Sequence, residues 1–179
     1  MRSVRNALFT LGLASAFILT GLVSGGAQTA KEEPSMSHDL GNNWRLWIYG
    51  SPPRLCSMMR VEGQWGLTLV RYHSNKPYVL QITNVAWLIP GPMPIKFEFQ
   101  FGDEPGWDQL GSSVNHKSVQ TPVGKEFIYR WKAHKTLKVK INGSEINFDL
   151  LGTKVATQTL EQCTTGLPAY SLECGKDCS

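Results

Sequence analysis

Four cysteines, Cys56, Cys163, Cys174 and Cys178, are the residues whose type and spacing most constrain the chemistry open to this chain. Catalytic thiol chemistry needs an exposed, stabilised thiolate. An even count of cysteines in an exported chain reads instead as two disulfides, with three connectivities open. The pairing favoured here is Cys56–Cys163 with Cys174–Cys178. The first bond would close a loop of roughly 100 residues, which is worth about 4–5 kcal/mol on the chain-entropy account. The second would close a small tail loop and add little. A C-x3-C metal site in the tail would need further ligands, and no histidine flanks it.

His38, His73, His116 and His134 are scattered, with no two at the spacing of a metal pair on one strand or helix. The chain has no G-x-S-x-G, no H-E-x-x-H and no phosphate-cradling glycine loop. No catalytic residue, metal site or cofactor is therefore expected. Acid–base or metal chemistry has one place to gather, the polar segment 102–125. There Asp103 and Glu104 adjoin, and Asp108 and His116 follow. Beside Pro105-Gly106 these acids read more simply as a solvated turn.

Six tryptophans are present. Most are expected to fill the core of a small β domain. Trp107 is the exception, because it lies in the polar segment. Long loops on rigid scaffolds often carry function. The candidate binding loop is therefore Asp103, Glu104, Trp107, Asp108 and His116. The stretch Pro90 to Pro94 is a second candidate surface, or else a stiff connection between strands.

The elements that must position these residues are mostly strands. Trp44 to Tyr49 alternates. Leu55 to Val61 and Trp65 to Tyr72 flank Glu62-Gly63-Gln64, and a two-residue turn at Glu62-Gly63 would put Cys56, Met58, Leu67 and Leu69 on one apolar face. In Tyr78 to Thr83, Tyr78, Leu80 and Ile82 share a side. Ile95, Phe97, Phe99 and Phe101 alternate with Lys96, Glu98 and Gln100, the cleanest period-2 pattern in the chain. Leu137 to Leu150 reads as a hairpin around Asn142-Gly143, with Val139 opposite Ile146, Leu137 opposite Phe148 and Lys140 opposite Glu145. Glu126 to His134 has helical spacing at Phe127, Trp131 and His134, although an irregular strand fits nearly as well. Thr153 to Cys163 reads as a closing helix capped by Gly152 or Thr153, with Val155, Ala156, Thr159, Leu160 and Cys163 on one stripe. The predicted fold is all-β, a disulfide-bonded antiparallel sandwich or barrel with a short C-terminal helix.

Residues 1–27 carry Arg2 and Arg5, an apolar run from Ala7 to Val23 and a small-residue site at Ser24-Gly25-Gly26-Ala27, the pattern of a cleavable secretory signal. Residues 28–43 read as a flexible lead-in, 44–163 as the β domain and 164–179 as a tail with a cysteine pair. No second apolar run is long enough to span a bilayer, so no transmembrane segment is expected after cleavage. The formal charge is +4, and 4 − 2 leaves +2 without Arg2 and Arg5. That is too small to argue for nucleic acid or an anionic membrane.

The order of these features resembles the invasion-associated locus B family and related small periplasmic proteins of alphaproteobacteria. The resemblance runs from Trp44-Arg-Leu-Trp through Leu55-Cys56, the Gly63-Gln64 turn and the strand at Leu137 to Ile141. It closes with Phe148-Asp-Leu-Leu-Gly-Thr, a short helix and Cys163. It implies an envelope protein linked to host-cell association and offers no catalytic residues. The expectation is a periplasmic or secreted non-enzymatic protein that binds a protein partner. The alternative is an inhibitor of an extracytoplasmic hydrolase such as a lysozyme, which requires a protruding loop.

Overall fold

The computed structural model describes residues 34–50, 55–72 and 77–165. The signal at 1–27, His73 and the Cys174–Cys178 pairing lie outside the described residues. The elements in chain order are β1 (Met36–Gly41), β2 (Trp44–Tyr49), β3 (Leu55–Glu62), β4 (Trp65–Tyr72), β5 (Tyr78–Asn84), β6 (Pro94–Phe101), β7 (Trp107–Asn115), β8 (Ser118–Val123), α1 (Lys125–Ala133), β9 (Thr136–Ile141), β10 (Ser144–Asp149) and α2 (Thr153–Thr164).

The strands form one antiparallel sheet in the order β1-β2-β3-β4-β5-β8-β7-β6-β9-β10. Its weakest join is β7–β8, held at three register pairs: Ser112↔Gln120, Ser113↔Val119 and Asn115↔Ser118. Past Ser112 the two strands part. β7 stays with β6 as far as Trp107, paired to Phe99. β8 stays with β5 as far as Val123, paired to Tyr78. The sheet therefore divides into a six-stranded and a four-stranded half, in keeping with the sandwich or barrel that the sequence predicts.

One apolar cluster draws on both halves and both helices. Leu46, Met58, Leu67, Leu69, Leu80 and Ile82 enter it from one half, and Phe97, Phe99, Phe101, Val139 and Phe148 from the other. The outer ends of the sheet are tied together. The Trp44 indole donates to the Leu151 carbonyl at 2.9 Å, and Arg60 reaches the Asp149 carboxylate at 3.0 Å. Helix α2 packs on β2, β3 and β4, and α1 packs on α2. The disulfide Cys56–Cys163 joins β3 to α2 across 107 residues, both cysteines being buried. Among the described residues no helix is long and apolar enough to cross a membrane.

The hairpin β9–β10 has the predicted register, with Lys140 opposite Glu145, Val139 opposite Ile146 and Leu137 opposite Phe148. Asn142 and Gly143 both have positive φ, as a type I′ turn requires.

Four expectations need correction. Part of the lead-in, Met36–Gly41, is the edge strand β1, paired to β2 from Met36↔Ile48 onward. An edge strand has one partner and one solvated side, so polar residues suffice. The segment 102–125 is no long loop, because it holds β7, β8 and the first residue of α1. The β3–β4 turn falls at Gly63-Gln64, with Glu62 opposite Trp65, one residue beyond the expected turn. Gly63 has φ 59° and supplies the left-handed position. The slip moves the register by two and so preserves the apolar face. Finally, Val155 on α2 is half exposed, and Thr153, Thr157 and Thr164 are buried on the stripe in addition to Thr159. Their hydroxyls are satisfied by main-chain carbonyls, Thr157 by that of Thr153 within the helix and Thr153 by that of Trp131 on α1.

Candidate functional site

The divergence of β7 from β8 opens a groove of about 420 Å³ beside α1. Trp107 and Gln109 line it from β7, Gly124 from the start of α1, and Phe127 and Arg130 from the helix. Pro105 and Glu126 complete its rim.

Each side is fixed by local chemistry. Trp107 pairs across to Phe99 and so shares the inner face of β6. Its ring lies 5.8 Å from Phe99, 5.8 Å from Phe101 and 6.3 Å from Phe127. Gln109, two residues on, spans the gap and donates to Thr121 Oγ1 at 3.0 Å and to the Pro122 carbonyl. At Gly111 the strands come so close that a Cβ would lie 2.6 Å from Phe97 Cε2 and 2.9 Å from Thr121 Cβ. Close approach at Gly111 and a bridged opening at Gln109 set the inner end of the groove.

Helix α1 supplies the opposite wall because Phe127 and Arg130 are three residues apart and lie on one face. The Arg130 guanidinium stands 5.4 Å over the Trp107 ring. Arg130 Nε donates to Glu126 Oε1 at 3.0 Å, and Nη1 donates to Glu104 Oε2. Glu104 also meets His134 Nε2 at 3.0 Å, and the His134 ring lies 5.7 Å from Phe101. Glu104 thus ties both ends of an Arg130–His134 clamp to the β6–β7 turn and holds the cation above the indole. The result is an aromatic floor with a polar rim, suited to an apolar side chain carried on a polar backbone.

The structure separates the five candidate residues. Glu104 and Trp107 belong to the groove. Asp103 is exposed in the β6–β7 turn. Asp108 points to the opposite face of β7, where it sits opposite Glu98 and pairs with Lys96 at 2.8 Å. That hydrogen bond, then the charge of Asp108, raises the Lys96 pKa above the ordinary lysine value. His116 lies in the β7–β8 turn, at the far end of a nine-residue strand, on the order of 30 Å from Glu104. Its Nδ1 lies 2.7 Å from the Ile89 carbonyl. The acids and His116 do not converge, so an acid–base or metal site in 102–125 loses its geometry. Among the described residues no group of three or more His, Cys, Asp or Glu is placed to hold a metal ion. Sequence reasoning missed Arg130, although Glu126 four residues before it and Phe127 three before it mark the shared face.

These features define a class: a two-halved antiparallel sandwich, stapled by one disulfide, with an aromatic groove where its halves part. No family model matches the sequence, and no curated protein matches it. The fold is similar to the crystal structure of invasion associated protein B from Bartonella henselae, with a TM-score of 0.53 over 73% of this chain and 99% of that one. Sequence identity is 15%, so the likeness is a distant relationship of fold.

Proposed function

We propose that this protein is an exported, non-enzymatic binding module that takes an apolar side chain of a protein partner into the groove between β7 and α1. The observation that carries this reading is Trp107, held half-buried between Phe127 and the Arg130 guanidinium with its groove open. Rigid aromatic anchors in pockets dominate protein recognition. Export is supported by the signal-like N-terminus and by the buried Cys56–Cys163 disulfide, which suits an oxidising compartment. A link to host-cell association comes from the fold neighbour, itself named as invasion associated. The inhibitor alternative gains no support, because the segment 102–125 is a hairpin in place of the loop it needs.

The test fills the groove. A Cβ on Gly124 would meet nothing within 4 Å, and its φ is −91°. Gly124→Trp should therefore occupy the groove without disturbing the core. The exported protein and this variant are used to capture envelope and host-surface proteins. A partner retained by the native protein and lost by Gly124→Trp, at unchanged melting temperature, supports the reading. Equal retention by both would sink it.

A further inference from the structure

The connection from β5 to β6, residues 85–93, keeps Ile89 in the core and turns Val85, Leu88 and Met93 outward. Leu88 is 87% exposed, Val85 60% and Met93 38%. Trp87 is half-buried and meets the Trp65 ring edge-on at 5.2 Å. No charged residue occurs from Val85 to Ile95. Single exposed hydrophobic residues are ordinary, whereas several on one projecting connection mark a contact surface.

Most N–H groups of this connection are bonded within the protein. Val85 N–H donates to the Gln64 carbonyl at 3.2 Å, Trp87 N–H to the Asn84 carbonyl at 3.1 Å and Ile89 N–H to the His116 carbonyl at 2.9 Å. Ala86 N–H donates to Asn84 Oδ1 at 2.8 Å, and Met93 N–H to Ser113 Oγ at 2.9 Å. Pro90, Pro92 and Pro94 carry no donor. Five of the seven N–H groups from Val85 to Pro94 are thus bonded within the protein. The carbonyls of Gly91 and Met93 accept from Ser113, through its hydroxyl at 2.6 Å and its N–H at 3.0 Å.

Exposed apolar side chains on a connection whose N–H groups are mostly turned to the protein suit a medium that offers few hydrogen bonds. A docking strand would need free backbone donors, and this connection has few. Lys117 lies beside it, because its carbonyl accepts the Asn84 N–H at 2.9 Å. Lys117 is exposed and makes no ion pair among the described residues.

We propose that this tip enters the headgroup–acyl boundary of a bilayer containing anionic phospholipid. Leu88 and Val85 enter the acyl region, Trp87 sits at the boundary where indoles concentrate, and Lys117 meets lipid phosphate. The contact is local: one lysine gives it its charge preference, while the chain as a whole is only weakly basic.

The exported protein is mixed with vesicles of phosphatidylcholine, alone or with phosphatidylglycerol, and sedimented. Binding should favour the anionic vesicles. Val85→Asp/Leu88→Asp should weaken it by about tenfold or more. Lys117→Ala should weaken it by about fivefold on anionic vesicles only. Leu110→Asp, 72% exposed on the outer face of β7, should bind as the native protein does. All four side chains project into solvent, so melting temperatures should agree, and Leu88→Asn serves as a milder variant if the double aspartate does not fold. Three outcomes overturn the proposal: no vesicle binding by the native protein, no loss in the Val85/Leu88 variants, or an equal loss in Leu110→Asp. A dimer dissolved by Leu88→Asn, without vesicle binding, would assign the tip to a second copy instead.

Discussion

The Arg130 guanidinium stands 5.4 Å over the Trp107 ring, held there by Glu104 and Glu126. A cation over an indole at a partly exposed site contributes about 0.5–1 kcal/mol. A double-mutant cycle with Trp107→Leu and Arg130→Met, read by urea unfolding, should return a coupling of that size. Strict additivity would show that the stacking has no energetic content.

Gly111 is set by proximity, not by backbone conformation. An alanine there would drive its Cβ into Phe97, Thr121 and the Gln120 carbonyl. Gly111→Ala should lower stability by about 1–3 kcal/mol. Gly124→Ala, facing open space, should be neutral or slightly stabilising. Similar urea midpoints for the two variants would contradict the close strand approach.

Removing the staple should be costly. Cys56→Ala/Cys163→Ala frees a 107-residue separation, which the chain-entropy account values at about 4–5 kcal/mol. The variant should unfold at markedly lower urea, and reductant should shift the native protein but not the variant. A loss below about 1 kcal/mol would mean that the reduced ensemble is already constrained.

Tyr78 gives a pH signature. Burial first, then its 2.9 Å hydrogen bond to Glu161 and that carboxylate's charge, push the phenol above its ordinary value, with Arg71 opposing. The folded state therefore holds this proton more tightly than the unfolded state. The stability it contributes is complete below the unfolded value, about pH 10, and is lost as pH rises toward the folded one. Between about pH 9.5 and 11 the native urea midpoint should fall faster than that of Tyr78→Phe. Lys96 and Lys140 are also raised by their carboxylate partners, but both variants contain them and the comparison removes their share. Parallel curves would show that Tyr78 ionises as freely folded as unfolded.

Elements that carry their own apolar alternation were legible in the sequence. Strand β6 and the β9–β10 hairpin needed no tertiary knowledge, and the Cys56–Cys163 bond followed from placing one cysteine on a strand face and the other on a helix stripe. Strand β7 was hidden because its inward positions after Trp107 are Gln109, Gly111 and Ser113. These residues bridge a gap, permit close approach and brace the β5–β6 connection, so none of them advertises burial. Strand β8 was hidden by Pro122, which normally argues against a strand. Its carbonyl accepts from Gln109, so the position of its missing N–H also faces the gap, and the pairing with β5 loses nothing. The groove was half legible: Trp107 stood out as an aromatic in a polar segment. Adjacent Asp108 shares a surface with it only in a loop, because a strand sends neighbours to opposite faces.

The staple also imposes an order on maturation. Cys56 belongs to the β2–β5 meander, whose contacts are local, whereas Cys163 rides on the final helix. The bond can take its native partner only after α2 docks, so oxidation marks the completion of folding and does not guide its beginning. Once made, it is sealed, since Cys56 is 0% and Cys163 1% exposed. A reductant must wait for the sandwich to open, and the speed of reduction becomes a clock for opening.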